Sequence, residues 1–129
     1  MQSKSDRIRE LNDNARTSWG LYGKVFFTNG IRALSEADQS AIAERVQQYG
    51  GPNPNTPEDD TIRDPWVEGD NPYGENDFGV IVHECEDGES VKVYFKFDYY
   101  DQNMEYGSED PSDPRQTTRV LTIMLASEY

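Results

Sequence analysis

The sequence predicts an α+β fold: a small antiparallel sheet, made of one strand and a hairpin, packed by three helices and interrupted by a long acidic, proline-rich loop. Three observations lead there. Segments of helical and of strand periodicity follow one another in the order helix, strand, helix, hairpin, helix, without a repeating β-α-β unit. Five of the seven prolines (Pro52, Pro54, Pro57, Pro65, Pro72) fall between residues 50 and 77, where no regular element is expected. Asp87-Gly88 separates two runs of strand formers, the pattern of a two-residue type I′ hairpin. A chain of 129 residues fits one domain, 1–129.

The first helix is expected over about residues 5 to 16, with Ile8, Leu11 and Ala15 on one face. Trp19-Gly20 ends it. Tyr22 to Thr28, holding Val25, Phe26 and Phe27, reads as a strand that closes on Asn29-Gly30. Ser35 with Asp38 three residues on resembles a capping box. Ala41, Ile42, Val46 and Tyr49 follow on one helix face, and Gly50-Gly51 stop it. Trp66 and Val67 are expected to pin the loop that follows.

A two-residue turn at Asp87-Gly88 pairs Glu86 with Glu89, Val82 with Val93, Val80 with Phe95 and Phe78 with Phe97. Phe78, Val80, Val82, Val93, Phe95 and Phe97 would then share one buried face. On the other face the same register sets Asp77 opposite Asp98. Asp113 as N-cap, Pro114 and Gln116 read as the start of a third helix, with Val120, Leu121, Met124 and Leu125 as its apolar stripe.

Leu, Ile, Val and Phe make up only 24 residues, and the net charge of -13 would place such a chain near the disordered class. Eight Tyr and two Trp supply the missing apolar area. No apolar run is long enough for a membrane span or a signal segment, so a cytoplasmic protein with no membrane partner is expected. Residues 58–113 carry 18 acidic groups against Arg63, Lys92 and Lys96. This acidic block argues against direct binding to nucleic acid or anionic lipid, which needs a basic surface. A charged partner should be basic.

The segments Asp70-Asn71-Pro72-Tyr73-Gly74-Glu75-Asn76-Asp77-Phe78-Gly79, Lys96-Phe97-Asp98-Tyr99-Tyr100-Asp101 and Val120 to Tyr129 resemble the signature stretches of a family of small bacterial proteins, domain of unknown function 3768. Ile8 to Asp13 and the helix after Ser35 share the likeness. The resemblance implies an unassigned activity and frequent carriage on plasmids and other mobile DNA. Members often have His at the position of Asn76, so no catalytic or metal role carries over to it. The loop from Gly50 to Gly69 is longer and more acidic than the family's.

Three constellations bear on chemistry. Asp77 facing Asp98, with Lys96, Glu75 and Tyr100 nearby, would suit an acid/base dyad or a carboxylate metal site; a Lys-neutralised structural cluster is the plainer alternative. Asp70, Asn71, Glu75 and Asp77 lack EF-hand spacing. His83 and Cys85, two apart on one strand, could meet, but a nucleophile also needs an orienting group and an oxyanion hole. One His and one Cys are too few for a Cys/His zinc site. Phosphate loops and nucleophile elbows are absent, so no metal or cofactor is expected. The third constellation is the acidic block. Its functional reading is a non-enzymatic DNA mimic that inhibits a nucleic-acid-binding defence system, as anti-restriction and anti-CRISPR proteins do. Asp59, Asp60, Asp64, Glu68 and Asp70 in the loop, and Glu84, Glu86, Asp87 and Glu89 at the hairpin tip, would bind a basic nucleic-acid-binding protein or nuclease complex. A small hydrolase or metal-dependent enzyme built on the carboxylate cluster is the alternative.

Overall fold

A computed structural model describes residues 2–19, 23–56, 58–59 and 61–129. Tyr22, Gly20, Pro57 and Asp60, named above, lie outside the described residues. The described residues form three helices and a four-stranded mixed sheet, an α+β fold.

Helix α1 (Lys4–Thr17) is capped by Ser3, whose hydroxyl accepts the Asp6 N–H, and it buries Ile8, Leu11 and Ala15 as their spacing requires. Strand β1 (Lys24–Phe27) follows, then a four-residue helix α2 (Asn29–Arg32) that plugs the fully buried Ile31 into the core. Helix α3 (Glu36–Gln47) starts at Ser35, which accepts from the Asp38 N–H at 3.0 Å, and it buries Ile42 and Val46 completely. Gly50, at φ +80°, turns the chain away in a conformation that favours glycine.

Strands β2 (Phe78–Glu84), β3 (Ser90–Tyr100) and β4 (Thr118–Leu125) complete a sheet of order β1-β4-β3-β2. β1 runs parallel to β4, and the other pairs are antiparallel. The sheet is therefore mixed, because the segment expected to be the third helix is the inner strand β4, followed by a 3-10 turn at Ala126–Glu128. Both faces of β4 are covered: Val120 and Met124 are buried on one, Leu121 and Ile123 on the other. Such a doubly buried run lacks strand alternation and mimics a helical stripe. The capping chemistry of Asp113 is present, accepting from the Arg115 N–H at 2.9 Å and the Gln116 amide at 2.8 Å, but it closes a turn.

The hairpin register also differs by one residue. Ile81 pairs with Val93 and Gly79 with Phe95. The Gly88 N–H donates to Cys85 O at 2.9 Å, and the Cys85 N–H donates to Glu89 O at 2.8 Å. With Gly88 at φ +88°, this is a three-residue loop with a glycine bulge, not a two-residue type I′ turn. One residue of slip reverses every side chain of β2. Val93, Phe95 and Phe97 face the core as expected, but they are joined by Gly79, Ile81 and His83. Phe78, Val80 and Val82 lie on the opposite face, where the rings of Phe78, Tyr94 and Tyr129 pack tilted or edge-on with centroids 5.1 to 6.0 Å apart.

The core centres on Phe95, with the Tyr49 ring at 4.9 Å and Trp66 at 5.9 Å, both edge-on. Trp66 anchors the segment between α3 and β2; Val67 does not, being 49% exposed. Among the described residues no helix is long and apolar enough to cross a membrane.

Candidate functional site

The proposed carboxylate dyad does not assemble. Asp77 precedes β2, and its carbonyl accepts the Phe97 N–H at 2.9 Å, which aligns it with Gly79 and Ile81 toward the helices. Asp98 lies on the opposite face, where Lys96 Nζ sits 2.9 Å from its carboxylate. That bond raises the Lys96 pKa. Tyr100 shares the face of Lys96 and Asp98 by strand alternation, whereas Glu75 turns to α1 and accepts from the Ser5 hydroxyl at 3.1 Å. The five residues are thus divided between two faces. Burial alone raises the Asp77 carboxyl pKa.

The hairpin tip holds a different arrangement. Glu84, Glu86, Asp87 and Glu89 are all exposed, and none of them forms an ion pair among the described residues. Asp87 accepts the Glu89 N–H at 2.9 Å and so stiffens the turn. Arg45, which reaches the end of β2, is committed elsewhere: it clasps Asp64 bidentately at 3.1 and 2.5 Å and donates to Val82 O at 2.7 Å.

Below the tip, Asp38 from the first turn of α3 meets the end of β2. Its Oδ1 lies 2.9 Å from His83 Nε2 and accepts the Glu86 N–H at 3.1 Å. The His83 bond, then the Ser35 hydroxyl and the Glu86 N–H, hold the Asp38 carboxyl below its usual range. Cys85 completes the group: one donor atom from each of Asp38, His83 and Cys85 lies within 4.8 Å of the others, and all three residues are buried. Burial first, then the charges of Asp38, Asp87 and Glu89, push the Cys85 thiol up. A thiol so disposed is a poor nucleophile. The donor atoms of His83 and Cys85 lie within 4.8 Å of each other, with no hydrogen bond between the two side chains among the described residues. Asp38 was missed because its own signal, an acidic residue in a helix's first turn, reads as capping, and its partner lies 45 residues away.

The loop carboxylates are less uniform. Asp59, Glu68 and Asp70 are exposed, while Asp64 is 8% exposed and its charge is spent on Arg45 and Arg63. Asp60 lies outside the described residues.

A third cluster joins the loop before β2 to α1. The fully buried Asn12 accepts from Arg119 Nε at 2.9 Å and donates to Tyr99 Oη at 2.8 Å and Glu75 O at 3.0 Å. Arg119 stacks over the Tyr99 ring. Burial drives the Tyr99 phenol up to about 12. Asn76, at φ +56°, donates to Asp13 at 3.0 Å and exchanges two bonds with Asn71. Each member is occupied by another, which is the chemistry of a fastening.

The model of a family described as Protein of unknown function (DUF3768) matches residues 27–128. No curated protein and no solved structure matches the chain.

Proposed function

The chain belongs to the DUF3768 family, whose activity is unassigned, and on that premise we propose that it is a non-enzymatic acidic binding protein. It acts as a DNA mimic, occupying the basic channel of a nucleic-acid-binding defence complex such as a restriction or CRISPR effector. The hairpin tip carries the reading: four exposed carboxylates within six residues, held on a stiff turn, with no ion pair to them among the described residues. Uncompensated charge on a rigid projection steers a basic partner and costs little to order on binding. The net charge of -13 adds long-range attraction to Lys/Arg-rich surfaces. The splitting of Asp77, Asp98, Lys96, Glu75 and Tyr100 between two faces removes the best support for a hydrolase. Carriage on mobile DNA and action in the cytoplasm belong to the same reading.

The test uses the whole chain immobilised in a host lysate. Retained proteins should bind DNA, leave the column as salt rises, and be displaced by duplex DNA, since they would surrender the same cationic contacts to either ligand. Retention indifferent to both salt and duplex would refute the reading.

A further inference from the structure

We propose that Asp38, His83 and Cys85 form a binding site for a divalent transition metal ion, zinc foremost, at the junction of α3 with the β2–β3 hairpin. The proposal stands apart from the docking role of the tip. Its first support is convergence. Three different donor side chains, from a helix turn and two alternate positions of a strand end, bring one ligand atom each to within 4.8 Å of the others, behind buried walls. Tetrahedral zinc with bonds of about 2.0 to 2.3 Å requires ligand atoms roughly 3.3 to 3.8 Å apart. To reach that spacing the Asp38–His83 pair, now at 2.9 Å, must open by about 0.4 to 0.9 Å, and the sulfur, within 4.8 Å of both, must close by at most about 1.5 Å.

The donor set selects the ion. A thiol and an imidazole beside one carboxylate suit zinc or cobalt, whereas calcium and magnesium demand mostly oxygen. Three protein ligands leave the fourth position to water or a solute. The Asp87 and Glu89 carboxylates of the adjoining turn add negative charge beside the site, which favours a cation. The first turn of α3 opposes it with its partial positive charge, which the Asp38 carboxylate offsets.

The remaining shell is in place. The Glu86 N–H already fixes the Asp38 carboxylate at 3.1 Å, and the Ser35 cap orients the turn that presents it. On binding, the Cys85 S–H bond breaks, a metal–sulfur bond forms, and the proton passes to solvent. Nε2 of His83 gives up to solvent the proton it donates to the Asp38 carboxylate, Nδ1 carries the ring's proton in the metal-bound form, and the hydrogen bond between His83 and Asp38 gives way to two bonds to the metal.

Cobalt(II) titration of the full chain, stripped by chelator and kept reduced, tests the site directly. The expected result is one cobalt per chain, a thiolate-to-cobalt charge-transfer band, the intense visible absorption of tetrahedral cobalt, and displacement of both by zinc. Cys85→Ser should abolish the charge-transfer band, and Asp38→Asn should weaken cobalt affinity by at least about tenfold. Should a variant fail to fold by circular dichroism, the parent's spectrum still decides. Cobalt bound without a thiolate band, as at exposed carboxylates, or a band that survives Cys85→Ser, would overturn the proposal.

Discussion

Gly79 lies directly across the β2–β3 ladder from Phe95, and a methyl group on Gly79 would run into the Phe95 ring and the Tyr49 ring beside it. The absence of a side chain there lets Tyr49 reach over the edge strand, where its hydroxyl accepts from the Val80 N–H at 3.1 Å and faces Val80 O at 3.2 Å. Gly79→Ala should therefore destabilise the protein by about 1 to 3 kcal/mol through overpacking, measured as a lower urea midpoint. In the alternative two-residue-turn register Gly79 would face outward, and alanine would be harmless. A neutral result would thus contradict the register.

Arg16 should be the costliest single polar side chain to remove. Its guanidinium, 5% exposed, donates to the carbonyls of Val46, Gln47 and Tyr49 at 3.0 to 3.2 Å, capping the negative end of α3, and lies over Trp66. Arg16→Met keeps the stem but orphans the carbonyls, and a loss of about 2 to 3 kcal/mol is expected, read from chemical denaturation.

Tyr99 should titrate late. Burial raises its phenol to about 12 and also raises that of Tyr49, so spectrophotometric titration should show a late phase whose amplitude Tyr99→Phe reduces. The unfolded chain ionises this group near 10. Its contribution to stability is complete below that value and is lost as pH climbs toward 12.

Glu128 should make the C-terminal turn acid-sensitive. Its carboxylate accepts from the Thr28 hydroxyl at 2.7 Å, the Leu125 N–H at 2.9 Å and the Gly30 N–H at 3.0 Å, and these bonds lower its pKa, that of Thr28 most. The stabilisation is present above the unfolded glutamate value and declines as pH falls through the lower folded one. Glu128→Gln should reduce the melting temperature at neutral pH and flatten its decline on acidification.

Local signals carried α1, β1 and α3: the helical spacing of Ile8, Leu11 and Ala15, the β-formers around Phe26, and the Ser35 cap. The turn at Asp87-Gly88 was equally legible, but its loop length was not. A bulge depends on Gly88 adopting φ +88°, which Asp-Gly permits in either turn type. β4 was concealed by its own burial, because an inner strand with Val120 and Met124 on one face and Leu121 and Ile123 on the other has no alternation to display. The approach of Asp38 to His83 is a product of tertiary packing. Nothing local to either residue encodes it, whereas the exposed carboxylates of the tip could be named from sequence because they depend only on the turn.

The central claim, that the hairpin tip is the docking element, is tested most directly by neutralising it. The tetra-variant Glu84→Gln, Glu86→Gln, Asp87→Asn, Glu89→Gln should be compared with Asp59→Asn, Glu68→Gln, Asp70→Asn for retention of DNA-binding proteins from the lysate across a salt series. The account predicts that the tip variant loses the salt-released, DNA-displaceable partners while the loop variant keeps them. Equal retention by the tip variant and the parent at every salt concentration would contradict it.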